Sequence, residues 1–331
     1  MMDRKKDHIE LAFQSQTEQA LSDERFYYEP LLSAHPSSEL DEFEFLGKKL
    51  QLPIWVSSMT GGTSIAKTIN ENLARACRQF RMGMGLGSCR LLLEDDQYLR
   101  DFDVRTLMGD DLPLYANLGI CQVEQLVERK ELNRIEDMVG QLRADGLIVH
   151  INPMQEWLQP EGDRIMNAPL ETLNTLLNQL DIPIVVKEVG QGMGPESLLE
   201  LMRLPLAAIE LAAFGGTNFA KIELLRNPGK QVQLLDPLTS IGHPARDMVE
   251  WLNSLWDSGK DLQCSQLILS GGVKNFLDGY YLMEECKYSA IYGQASQLLK
   301  YARSSYEELE AYLESQVRGL LLARAYLRIR S

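Results

Sequence analysis

The sequence predicts an α/β chain whose eight parallel strands close into a (β/α)8, or TIM, barrel. Three observations carry this. Eight short apolar runs alternate with stretches of helical periodicity, as parallel strands joined by crossover helices require. Eight such repeats in 331 residues suit a closed barrel better than an open doubly wound sheet. No Gly-x-Gly-x-x-Gly opens a helix after the first strand, which removes the main support for a dinucleotide-binding sheet.

The elements follow in order. Residues 1–45 show no clear strand and read as an N-terminal arm. Its Arg4-Lys5-Lys6-Asp7-His8 is a basic cluster in an acidic chain. It is either a solvated terminus or an arm that brings cations to an anionic ligand. Strand one is Leu52-Pro-Ile-Trp-Val56, ending in Ser57-Ser-Met-Thr-Gly-Gly62, with a helix over 63–80. Met82-Gly-Met-Gly-Leu86 is the second, ending in Gly87-Ser-Cys-Arg90. Leu112-Pro-Leu-Tyr-Ala116 is the third, followed by Asn117-Leu-Gly119 and a helix from about Gln122. Gly146-Leu-Ile-Val149 is the fourth, and the polar stretch His150 to Asp163 follows it. Pro153 ends the ladder there, because proline has no N–H to donate, and puts Gln155 and Glu156 on a loop or first helical turn. The fifth is Ile182-Pro-Ile-Val-Val186, ending in Lys187-Glu-Val-Gly190; the sixth is Ala207-Ala-Ile-Glu-Leu211, ending in Gly215-Gly-Thr217. The seventh is Gln266-Leu-Ile-Leu269 with Ser270-Gly-Gly272, and the eighth Ser289-Ala-Ile-Tyr292 with Gly293-Gln-Ala-Ser296. The barrel is therefore expected over 46–304. About 54 residues separate strands six and seven without an obvious strand. A connection that long suggests a lid, with 213–245 its core. The tail, 305–331, reads as an amphipathic helix packed on the barrel.

Composition bounds the function. The net charge of −14 argues against a nucleic-acid partner, which rewards clustered Lys and Arg. The five cysteines form no Cys-x-x-Cys pair and read as free thiols in a reducing compartment. The charged start is not expected to act as a signal peptide, and no apolar run is long enough to suggest a membrane span. The expectation is a soluble cytoplasmic protein.

Barrel active sites are built from residues just after each strand. Those positions hold Ser58, Met59, Thr60, Ser88, Arg90, Asn117, His150, Asn152, Gln155, Glu156, Lys187 and Thr217, then two glycine turns. The glycine turns after strands seven and eight fall where barrels often cradle a phosphate on backbone N–H groups. Lys187 ends a fully apolar strand, so it needs an anionic partner or a route to water. Flavin mononucleotide (FMN) suits this equipment, with its phosphate at the glycine turns and Lys187 beside the pyrimidine side of its ring.

With these pieces in place the sequence resembles the type 2, FMN-dependent isopentenyl-diphosphate isomerases. The matching segments are Arg4-Lys5 with His8, Ser58-Met-Thr-Gly-Gly62, Gly87-Ser-Cys-Arg90, Ala116-Asn-Leu-Gly119, His150-Ile-Asn152 with Gln155-Glu156, Val186-Lys-Glu-Val-Gly190, Gly215-Gly-Thr217 and Ser270-Gly-Gly272. The resemblance implies that Ser58, Met59, Thr60, Ser88, Asn117, Lys187, Thr217, Gly271, Gly272, Gly293 and Ala295 hold FMN. It implies that Arg4, Lys5, His8, Ser88, Arg90 and Asn152 surround the substrate diphosphate, with His150 and Gln155 lining the substrate pocket. His150, Gln155 and Lys187 would serve catalysis, with N5 of reduced FMN as acid and base, and Glu156 would hold Mg²⁺. NAD(P)H would reduce the flavin, and the protein would be a homo-oligomer, tetramer or octamer. The pattern departs from the family around the flavin phosphate: Val273-Lys274-Asn275 replaces an arginine-threonine-glycine run, and Ala295-Ser-Gln297 an alanine-x-proline. The competing expectations are another FMN barrel oxidoreductase of the hydroxy-acid type, and a barrel that binds FMN or a prenyl diphosphate without catalysis.

Overall fold

The computed structural model describes residues 2–58, 64–227, 229 and 233–330. Eight parallel strands form a closed barrel: β4 (Ile54–Val56), β5 (Gly83–Gly85), β6 (Leu114–Gly119), β7 (Gly146–His150), β8 (Ile184–Lys187), β9 (Ala208–Glu210), β10 (Gln266–Ser270) and β11 (Ser289–Gln294). Neighbours in sequence are neighbours in the sheet, and β11 closes on β4 with Tyr292 opposite Ile54. The predicted strands are all present. The third runs on through Asn117-Leu-Gly119, which carries Asn117 inside the barrel wall rather than just beyond it. Most barrel strands are buried along their whole length, which is why they read as apolar runs and not as alternating patterns.

Local rules explain the helices. Helix α2 (Ser64–Phe80) buries Ala66, Ile69, Leu73 and Cys77, spaced three and four apart. Pro153, Pro169 and Pro195 open α6 (Pro153–Leu158), α7 (Pro169–Gln179) and α8 (Pro195–Met202), at a position where a missing N–H costs nothing. The tail forms a 21-residue helix, Tyr306–Tyr326. Ser305 caps it by accepting from the Glu308 N–H at 3.2 Å. Leu309, Leu313, Leu320 and Ala323 bury its inner face.

Two regions hold more structure than their sequence shows. The arm contains β1 (Phe26–Tyr28), which pairs antiparallel with β12 (Leu327–Ile329) at the other end of the chain. It also contains a hairpin, β2 (Phe43–Phe45) and β3 (Lys48–Leu50), turned by Leu46 and Gly47 at positive φ. Three-residue strands lack a readable period, and a partner 300 residues away leaves no local trace. The long connection between β9 and β10 contains α9 (Phe219–Arg226), capped by the Asn218 side chain accepting from the Lys221 N–H at 2.9 Å. Among the described residues no helix is long and apolar enough to cross a membrane.

Candidate functional site

The C-terminal ends of β8, β9, β10, β11 and β4 enclose a cavity of about 320 Å³. Part of its wall is bare backbone, contributed by Gly190, Gly215, Gly216, Gly271, Gly272 and Gly293. Gly271 has φ +92°, and a Cβ there would sit 2.1 Å from the backbone N and O of Ala213. Gly216 approaches so closely that its Cβ would lie 2.9 Å from the Gly272 nitrogen. The glycine turns after β9 and β10 therefore pack back to back, too close for a side chain between them. Lys187 is 5% exposed and lines the same cavity. Its ammonium donates to the Glu188 carbonyl at 2.8 Å. Around it, four buried polar atoms of the lining have no hydrogen-bond partner among the described residues: Ser57 Oγ, Ser58 Oγ, Glu210 Oε2 and Gln294 Nε2. Buried polar groups are normally paired, so a concentration of unpaired ones marks a surface shaped for a polar ligand.

A second pocket of about 110 Å³ adjoins the first and shares Ser58, Lys187, Val189 and Phe219 with it. Ser88, Asn117, His150 and Gln155 complete its wall with Gly87. His150 ends β7, and its Nδ1–H donates to Asn117 Oδ1 at 2.7 Å, with the tautomer assigned from this contact. Burial first, and the Lys187 ammonium second, push its pKa down to about 3. The imidazole is therefore neutral at pH 7. Gly119 makes room for the ring, since a Cβ there would stand 2.9 Å from Nε2.

The stretch after His150 ties its own groups together. Asn152 immediately precedes α6, and its amide donates to Gln155 Oε1 at 3.1 Å and Glu156 Oε1 at 3.0 Å. Glu156 Oε2 accepts from the Asp163 N–H at 2.9 Å, closing the loop on itself. Asp163 accepts from Gln122 at 3.0 Å, and Glu161 pairs with Arg226 at 2.5 Å. That ion pair holds the Glu161 carboxyl below its ordinary range. Helix α9 reaches the stretch from above: Gln155 Nε2 donates to Glu223 Oε1 at 3.3 Å, and Leu158, Ala220 and Leu224 form a small apolar cluster with Met154.

The tertiary structure thus gathers Ser58, Lys187, Thr217, Gly271, Gly272, Gly293 and Ala295 around the larger cavity. Ser88, Asn117, His150 and Gln155 line the smaller one. Asn152 and Glu156 lie buried behind it. Arg90 is exposed and lines neither cavity. Arg4, Lys5 and His8 are exposed on α1 (Met2–Leu11), which no hydrogen bond or ion pair among the described contacts ties to the barrel. Met59 and Thr60 lie outside the described residues. No group of three or more His, Cys, Asp or Glu able to hold a metal occurs among the described residues. The five cysteines are free, four of them buried. Sequence reasoning missed Glu210, Glu223 and Gln294. Glu210 had a signal: a carboxylate inside Ala207-Ala-Ile-Glu-Leu211 is as uncomfortable as the lysine that ends β8.

Fold and site together define a (β/α)8-barrel protein with two joined pockets at its C-terminal mouth. The barrel is shared with a flavocytochrome b2 mutant solved with pyruvate bound, at a TM-score of 0.61 and 16% identity, covering 97% of this chain and 82% of that one. It is shared also with a mandelate oxidase mutant carrying the monooxide FMN adduct, at 0.54 and 13%, covering 93% and 89%. At such identities the likeness is one of fold. No family model matches the chain. Whole-chain relatives narrow the class. The isopentenyl-diphosphate delta-isomerase of Rickettsia akari is 35% identical over 320 residues, 94% of this chain and 90% of the relative. That of Rickettsia felis is 34% identical over 325 residues, 97% and 90%. The chain belongs to the isopentenyl-diphosphate delta-isomerase family, the family its His150 and glycine-turn motifs resemble.

Proposed function

We propose that this chain converts isopentenyl diphosphate to dimethylallyl diphosphate with reduced FMN in the glycine-lined cavity and the substrate in the adjoining pocket. One observation carries the reading: the two pockets meet at Lys187, Ser58, Val189 and Phe219, so a ring lying over the strand ends would face the substrate directly. The residues present fit a flavin nucleotide. The unpaired Ser57, Ser58 and Gln294 atoms can exchange hydrogen bonds with it, and the bare backbone at Gly216, Gly271 and Gly272 admits a phosphate. Lys274, which lines the same end, supplies a cation one residue beyond the position, here Val273, where the family pattern has arginine.

Double-bond migration adds a proton to an unactivated alkene and removes one from a neighbouring carbon. When bound and reduced, the flavin would supply the acid and base for both transfers and an electron-rich face for the cationic carbon. The protein's part is placement and charge. Lys187 would offset negative charge on the pyrimidine side of the ring. Neutral His150, locked by Asn117, would present Nε2 as an acceptor and not as a cation, so it would not repel positive charge developing on the substrate. Asn152 and Glu223 would hold the Gln155 amide toward the pocket. Val189 and Phe219 would keep water from the alkene. Ser88 and Arg90 would meet the diphosphate at the rim, with Arg4, Lys5 and His8 folding over it from α1. Anchoring the diphosphate far from the alkene turns binding energy into orientation.

Glu156 alone does not make a metal cage, and both its oxygens already accept hydrogen bonds. It fits a Mg²⁺ that keeps its waters and takes its other ligands from the diphosphate. NAD(P)H would reduce the flavin without stoichiometric consumption. The hydroxy-acid oxidoreductase reading lacks a second histidine at the site: His243 packs edge-on against Trp251 and lines neither pocket. The test is an anaerobic incubation with FMN, NADPH, Mg²⁺ and isopentenyl diphosphate, beside Gln155→Ala. Dimethylallyl diphosphate should accumulate with the wild type and fall at least about a hundredfold with the variant. Bound FMN with no product from the wild type would refute the isomerase reading.

A further inference from the structure

Glu210 is the one acidic side chain in the lining of the larger cavity, among the described residues, and it is 0% exposed. It ends β9, between Lys187 on β8 and Ser270 on β10. Its Oε1 accepts from Ser270 Oγ at 3.1 Å, and that hydroxyl in turn accepts from the Ala212 N–H at 2.9 Å. Its Oε2 has no partner among the described residues. Lys187 stands opposite it in the strand register, yet the two form no ion pair within 4.0 Å, because the ammonium turns to the Glu188 carbonyl. A carboxylate oxygen buried without a partner is costly, and an ionised carboxylate can only accept hydrogen bonds. A donor that arrives with the ligand can supply the missing partner.

The cavity fixes which donor. The bare turns at Gly216, Gly271 and Gly272, with Lys274, form one pole suited to an anion. Lys187, at the junction with the smaller pocket, forms the other pole, suited to the electron-rich edge of a ring. Glu210 would repel either group. Between a phosphate and a flavin ring lies only the polyol chain, whose hydroxyls are neutral donors. Resting on the flavin reading above, we infer that Glu210 accepts a hydrogen bond from a ribityl hydroxyl of FMN. It is then a positioning residue that sets which way round the cofactor lies, by attracting the polyol and excluding the phosphate.

Flavin fluorescence quenching measures the affinity of the whole protein for FMN, for its 2′-, 3′- and 4′-deoxyribityl analogues and for 3-methyl-FMN, in wild type, Glu210→Gln and Glu210→Leu. Loss of a hydrogen bond to a charged acceptor should weaken FMN about tenfold or more in Glu210→Leu. One deoxy analogue should lose a similar factor on the wild type and nothing further on Glu210→Leu. The flavin-free Glu210→Gln protein should melt no lower than wild type, because among the described residues Glu210 has no ion pair to lose. Equal losses for every deoxy analogue in both proteins would overturn the inference. So would coupling to 3-methyl-FMN, which would place the ring N3–H on Glu210. A lower melting temperature for flavin-free Glu210→Gln would make the residue structural and overturn it as well. Failure of the wild type to bind FMN at all is a separate outcome, which refutes the flavin reading itself.

Discussion

At the N-terminal mouth of the barrel Arg105, 2% exposed, donates to the carbonyls of Arg143, Gly109 and Leu112 and to Asp145 Oδ2 at 2.8 Å. Asp145 also accepts from the Leu114 N–H at 2.8 Å and from Lys48 of the β2–β3 hairpin. At the C-terminal mouth, among the described residues, Lys187, also buried, has a single carbonyl partner, and Glu210, Ser57, Ser58 and Gln294 each leave an atom unpaired. The residue types are alike; the degree of satisfaction is not. One end spends its charges on strand ends and the hairpin that covers them, which seals it. The other end leaves valences for a ligand, a standing cost that binding would recover.

The sharpest way to break this comparison is to remove the buried cation from each end. Arg105→Met leaves three carbonyls without their donor and takes one of three partners from Asp145, and should lower unfolding free energy by about 3 kcal/mol in urea melts. Lys187→Met removes one hydrogen bond, so the flavin-free protein should lose at most about 1 kcal/mol, while FMN affinity falls at least tenfold. Equal destabilisation by the two changes would show that Lys187 is as structural as Arg105.

A smaller effect sharpens the contrast through pH. The folded pKa of His150, about 3, lies below the ordinary 6.5, so between those values the unfolded chain binds a proton that the folded chain does not. Stability therefore rises with pH across that window, is unaffected by His150 above it, and falls as pH drops toward 3. His150→Gln should remove about one proton from the slope of unfolding free energy against pH between 4 and 6. An unchanged slope would mean that the imidazole protonates freely in the fold.

How much of this was legible differs from one residue to the next. The barrel strands were readable because burial on both faces writes them as apolar runs, and Lys187 stood out against such a run. The glycine turns were readable because positive φ and close approach select glycine. Glu210 obeys the same logic as Lys187 but sits inside its run, where its neighbours mask it. Glu223 and Arg226 were invisible as site residues, because they lie on α9 in the long connection and meet Gln155 and Glu161 only through folding. The pairing of β1 with β12 was hidden for the same reason.

By itself the sequence determined the number and order of the strands, the end of the barrel that carries the polar groups, and the family. Periodicity, turn residues and motifs are local, so a chain read in order reveals them. Only the tertiary structure decided that Asn117 locks His150, that Glu156 is bound into its own loop, and that Glu210 keeps an oxygen free among the described residues. Hydrogen-bond satisfaction depends on partners brought together through space, often from different strands, and spacing along the chain does not encode it.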